Sequence, residues 1–180
     1  EKMAVILQEV VGNQYGERYY PSMSGVARSL NYYPLGDEKA EEGTVNLALG
    51  LGKYIVDGGM TLRFSPYHPN QVLQTSEMEI ALKETQTRFY ALDLKNAGHD
   101  FSIDDGFNLL KEAENDGALQ YIASTYDPYD QIIRDGLYPG GRKVITFANI
   151  LQHDVFPLAR ILQLVLKYGE QEMRRPVEIE

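Results

Sequence analysis

Cysteine is absent from the 180 residues, which removes disulfides, thiolate metal sites and cysteine nucleophiles and accords with a reducing compartment. Histidine is scarce. His68, His99 and His153 stand too far apart in sequence for a zinc motif. Positive charge is short as well, with 17 Lys and Arg against 26 Asp and Glu, a net charge of -9 and a pI near 4.9. Such a field repels phosphate backbones and anionic lipid surfaces, so neither nucleic acid nor a membrane is an expected partner. No unbroken apolar run nears the roughly 20 residues that span a bilayer, and the opening EKMAVILQEV lacks signal-peptide architecture. A cytoplasmic location is expected.

What is present fits one folded domain. The hydrophobic fraction is 43% and the charged fraction 24%, ordinary values for a globular chain of this length, and two full domains would be crowded. An apolar run starting at Met3 and an extended pattern reaching Glu180 suggest that both ends are boundaries within a larger protein.

Residues 3–11, MAVILQEVV, are β-favouring almost throughout and read as a central strand covered on both faces. SGVARSL at 24–30 is extended, and an acidic loop, YYPLGDEKAEEG, follows. VNLAL at 45–49 leads through a glycine turn into a short helix, KYIVDG. Gly50 and Gly52 are positions where a backbone can approach a ligand. TRFYALDL at 87–94 alternates as one strand. Ser102 and Asp105 form a capping-box-like start to a helix with Ile103, Phe107 and Leu110 on one face and a stop at Gly117.

LQYIASTYD, QIIRDG and GRKVITFAN are three extended pieces separated by DPYD and YPGG, which is turn chemistry and predicts a small antiparallel sheet. Asp127, Asp130, Arg134 and Asp135 suit turns and strand edges better than a metal loop. A final helix from Pro157 to about Met173 carries Leu158, Ile161, Leu162 and Val165 at helical spacing, and RRPVEIE enters a strand. Hairpin-joined strands with few helices make the class α+β.

In the last strand Glu178 and Glu180 fall on one face, about 6 to 7 Å apart. Two such carboxylates suit Mg²⁺ that bridges nucleotide phosphates, and a solvated strand face produces the same alternation. The surrounding residues carry a resemblance. MAVILQEVV, SGVARSL, LALGLGKYIVDGG and LARILQLVLKYGEQEMRRPVEIE, four blocks in the family's order, resemble the phosphoenolpyruvate synthase and pyruvate phosphate dikinase family. They span residues 2–58 and 157–180.

The resemblance implies part of an ATP-grasp domain over 1–180: a partial lobe with a mainly antiparallel sheet, flanking helices and a β-rich insertion at 60–156. It implies ATP and Mg²⁺ as cofactors, a swivelling phosphohistidine domain and a barrel domain as partners in the parent chain, and phosphorylation of pyruvate to phosphoenolpyruvate. A homodimer is compatible with it. By resemblance Glu180 matches the family's metal-binding glutamate and Glu178 its acidic neighbour. Gln8, Glu9, Val10 and Val11 match the segment beside the adenine edge, and Ser24 and Gly25 match the wall of the site.

Departures are also visible. Lys53 stands where the family has glutamate, and Arg28, Ser29 and Leu30 replace its aromatic-Thr-Arg. These positions are not assigned the family's roles, and Lys53 reads as a solvated helix residue. His153 lacks the surroundings of a phosphohistidine and reads as a surface or helix-entry residue. The tyrosines of the insertion suit core packing or an interdomain contact. Two alternatives therefore stand beside the dikinase: a regulatory or interaction module that has lost phosphoryl transfer, and a related dikinase with another acceptor.

Overall fold

The structure is a computed structural model that describes residues 3–5, 7–95 and 106–180. Its strands are β1 (Asn13–Tyr15), β2 (Arg18–Tyr20), β3 (Ser24–Arg28), β4 (Thr44–Ala48), β5 (Leu62–Phe64), β6 (Arg88–Tyr90), β7 (Leu92–Asp93), β8 (Phe107–Leu109), β9 (Ala123–Asp127), β10 (Ile132–Asp135), β11 (Arg142–Ile145) and β12 (Glu178–Ile179). The α-helices are α1 (Lys53–Val56), α2 (Met78–Lys83), α3 (Leu110–Asn115), α4 (Ala148–Leu151) and α5 (Leu158–Met173). Every named strand pair is antiparallel. The mixed, mainly antiparallel character expected from the sequence is therefore present.

The largest sheet has the order β12-β3-β4-β5. Its register places Ile179 opposite Ala27, Ala27 opposite Val45, and Val45 opposite Phe64. Because side chains alternate along strands, these residues share one face with Leu47 and Leu62, and Ala27, Val45, Leu47, Leu62 and Phe64 are buried. The other face carries Glu178, Arg28, Thr44, Asn46 and Arg63. One sheet thus has an apolar side that packs and an opposite side on which charged and polar residues stand beside the buried Val26 and Ala48.

Helix α5 follows the predicted boundaries, but it is rotated from the expected face. Leu158 and Leu166 are buried and Leu162 packs against the core, whereas Ile161 and Val165 are exposed. The apolar stripe is wider than the sheet covers, and the inner row is Leu158, Leu162 and Leu166.

Strands β9, β10 and β11 form the predicted sheet in the order β10-β9-β11. Asp127 Oδ1 accepts the Tyr129 and Asp130 amides at 2.9 and 3.3 Å, an Asx turn that closes the DPYD tip. The segment 60–156 packs into the same core as the rest, since Phe64, Phe89, Ile122, Ile145 and Phe147 join one buried cluster with Ala27 and Val45.

Three local expectations need correction. Residues 3–5 and 7–11 form no strand, and Met3 and Leu7 are 90% and 92% exposed. Strand propensity alone does not make a strand: it needs a neighbour to pair with, and β3, the strand that β12 joins, has β4 on its other side. Phe107 lies on β8 rather than on a helix, because Tyr90 pairs with Phe107 across β6 and β8 with ring centroids 4.8 Å apart. Leu110 begins α3, which ends before Gly117, while Ser102, Ile103 and Asp105 lie outside the described residues. TRFYALDL breaks at Ala91 into β6 and β7, which join different sheets. Among the described residues no helix is long and apolar enough to cross a membrane.

Candidate functional site on the polar face of the β12-β3-β4 sheet

The site is built outward from Ser29, the residue after β3. Its amide donates to the Val177 carbonyl at 3.0 Å, and its hydroxyl accepts the Val177 amide at 3.0 Å. The same hydroxyl donates to Glu170 Oε1 of α5 at 2.7 Å. Ser29 is buried, so strand, helix and following strand meet at one atom.

This clamp delivers β12 in register. Glu178 lies opposite Arg28 and forms an ion pair with it. Both side chains are near half-exposed, so the pair is solvated and adds little stability. Strand alternation puts Glu180 next on the same face. Glu180 is exposed and has no ion pair among the described residues.

Ser24 and Gly25 pair with Ala48 and Leu47 on β4. Ser24 Oγ and Thr44 Oγ1 are buried without a hydrogen-bond partner among the described residues. An unpaired buried hydroxyl costs about 1–3 kcal/mol, so this region holds hydrogen-bonding capacity that the fold does not use. Farther along the face, Arg63 is gripped by Glu38 at 2.6 and 3.0 Å. Burial disfavours the Glu38 carboxylate. The Arg63 guanidinium, the Leu35 amide and Asn31 outweigh that cost and hold its pKa below the usual range.

Gln8, Glu9, Val10 and Val11 are not brought into this sheet. All four are in irregular backbone; Gln8, Glu9, Val10 and Val11 are exposed, and Val10 is tethered through its carbonyl, which accepts the Tyr19 hydroxyl at 2.9 Å. The central-strand expectation for the first apolar run is not met here either: β12 pairs with β3. Five cavities of about 260 to 460 Å³ are lined by residues other than these candidates.

Gly50 answers to the fold rather than to a ligand. Its φ is 86°, and a Cβ there would lie 2.6 Å from the Tyr90 carbonyl oxygen. Lys53, in α1, pairs with Asp57 at 2.6 Å and sits 5.1 Å from the Tyr90 ring centroid. His153 follows α4, is exposed, and has Nε2 2.9 Å from Asp135 Oδ2. Arg134 pairs with Asp130 at the hairpin.

Mg²⁺ carrying nucleotide phosphates is held through one or two carboxylates, the remaining ligands coming from phosphate and water. Glu180, with Glu178 beside it, fits that requirement. Among the described residues no group of three or more His, Cys, Asp or Glu is arranged to hold a metal alone. Reading the sequence by itself missed Ser29 and Glu170 as the anchor of β12, and it missed Arg28 as the partner of Glu178. The alternation of Glu178 and Glu180 was visible, but only the register reveals which residue stands opposite.

No family model matches this chain, no curated protein matches it, and no solved structure matches it.

Proposed function

We propose that this chain is part of an ATP-grasp nucleotide-binding domain in a phosphotransferase of the phosphoenolpyruvate synthase and pyruvate phosphate dikinase type. In that reading Mg·ATP phosphorylates a histidine on another domain, and pyruvate then becomes phosphoenolpyruvate. One observation supports it above others. The SGV block on β3, the Leu47-Ala48 end of the segment that leads into GLG on β4, and Glu178-Ile179 on β12, far apart in sequence, lie on three neighbouring strands, β12-β3-β4, with Glu178 on the polar face and Glu180 directly after it.

Glu180 would hold the cation against the phosphates and offset their charge. Arg28 holds Glu178 in place and reduces its availability as a ligand. Calorimetry with Mg·ATP on the longest protein that carries this chain tests the reading. Glu180→Ala should lower affinity and turnover, and unchanged values for both would remove the metal role.

A second reading is a regulatory or interaction module of the same fold without phosphoryl transfer. It is favoured by the charges already neutralised within the chain, Glu178 by Arg28 and Lys53 by Asp57. Tight Mg·ATP binding without phosphohistidine formation would select it.

A further inference from the structure

Thirteen tyrosines are present, and several have evident packing duties. Tyr20 lies between Tyr15 and Phe89 with centroids 4.7 Å away on each side. Tyr54 and Tyr90 cluster with Phe107. Tyr126, Tyr129 and Tyr138 are different. They line a separate cavity of about 370 Å³ with Pro128 and Pro139, at the tip of the β9-β10 hairpin and the loop after it.

Among the described residues none of these three rings contacts another ring, and none of their hydroxyls has a hydrogen bond. Tyr129 is 96% exposed and Tyr138 50%. Core packing cannot account for the exposed rings of Tyr129 and Tyr138, while Tyr126 is half-buried beside them. An aromatic ring kept at a cavity rim offers apolar area with a polar tip, a common recognition element.

The frame around the rings is held firmly. Tyr138 donates its amide to Thr125 Oγ1 at 3.0 Å, and Thr125 Oγ1 donates to the Gly136 carbonyl at 2.9 Å. Lys143 Nζ ties the Tyr138 and Gly140 carbonyls at 2.6 and 2.7 Å. Asp127 fixes the Tyr129 amide through its Asx turn. The backbone that carries the rings is thus ordered before a ligand arrives, which removes the cost of ordering the loop.

We infer that this tyrosine-lined cavity binds a neutral carbohydrate of one to three sugar rings. The axial C–H faces of a pyranose stack on tyrosine rings, while its hydroxyls both donate and accept, as the three free phenols do. Asp127 and Arg134 also line the cavity and offer an acceptor and donors for equatorial hydroxyls. Arg134 is shared between Asp130 and Asp127, so the hairpin tip carries one carboxylate in excess and does not favour an anionic ligand. A proline-rich peptide would need an extended groove, whereas this cavity is compact. The inference does not depend on nucleotide binding by the β12-β3-β4 face.

The test is an NMR titration of the 180-residue chain, labelled at tyrosine, with maltotriose, cellotriose, mannotriose and a galactose trisaccharide in turn. At least one should shift Tyr126, Tyr129 and Tyr138 together at millimolar concentration. Tyr129→Ala and Tyr138→Ala should each weaken that binding about tenfold, with the thermal midpoint of Tyr129→Ala unchanged because its ring is exposed. Failure of all four sugars to move these tyrosines overturns the inference. So does binding that survives both substitutions, or a proline-rich decapeptide that moves the same resonances when the sugars do not.

Discussion

Ser29 and Val177 exchange two hydrogen bonds, backbone amide to carbonyl in one direction and backbone amide to hydroxyl in the other, each 3.0 Å long. Val177 directly precedes β12, so the position of Glu178 and Glu180 depends on a serine side chain 148 residues before Val177 in sequence.

Ser29→Ala should therefore loosen β12 specifically. The Val177 amide and the Glu170 carboxylate each lose a partner, which predicts a loss of about 1–2 kcal/mol in denaturant unfolding. Hydrogen exchange at Val177 should rise more than exchange in β9 or β11. Uniform exchange across all sheets would show that the hydroxyl does not anchor the strand.

Glu178 and Glu180 should respond differently to substitution. Arg28 already neutralises Glu178, so Glu178→Gln is expected to change Mg·ATP affinity only slightly, whereas Glu180→Gln should lower it about tenfold or more. Arg28→Met should release Glu178 and strengthen Mg²⁺ binding. Equal effects of the two glutamine variants would contradict this division of roles.

A second buried ionic cluster governs behaviour in acid. Arg18 makes two bonds to Asp116, at 2.6 and 3.0 Å, and the Tyr20 hydroxyl donates to the same carboxylate at 2.7 Å. Burial disfavours the Asp116 carboxylate, yet the bonds from Arg18 and Tyr20 outweigh it and hold its pKa below the usual value of 3.8. The folded state thus binds this proton less readily than the unfolded chain. The stabilisation is fully present above the ordinary carboxyl pKa and disappears as pH falls through the lower, folded value.

Asp116→Asn should cost about 2 kcal/mol at neutral pH, and the gap from wild type should close below about pH 4. Glu38→Gln should show the same direction, since the Glu38 carboxyl is also held low. Thermal melts from neutral to acidic pH measure both. A gap that stays constant with pH would mean that these carboxylates gain nothing from ionisation.

Gly43 closes the loop between β3 and β4 with φ 75°, and a Cβ there would meet the Arg28 carbonyl oxygen at 2.4 Å. Gly43→Ala combines a left-handed backbone with a backbone clash and should cost roughly 3 kcal/mol in denaturant unfolding. It should also shift the amide signals of Arg28 and Ser29. A melt like that of wild type would show that the loop can move aside cheaply.

The parts legible in advance share a physical property: their hydrogen bonds close locally. The DPYD and YPGG turns bring β9, β10 and β11 together within a short stretch, and α5 satisfies its own backbone between Leu158 and Met173. The candidate pair Glu178 and Glu180 was legible for the same reason, because alternation along one strand needs no partner.

The tertiary structure decided everything that required a choice of neighbour. Residues 3–5 and 7–11 belong to a run with strand propensity but form no strand, and the place beside β3 goes to β12 instead. Phe107 joins Tyr90 across a ladder instead of a helical face. Arg28 faces Glu178 because β12 lies antiparallel to β3 in one register. Sequence alone determined where backbone can extend or coil, through side-chain shape and turn chemistry; folding determined which edges meet, because strand pairing is non-local and each edge accepts one partner.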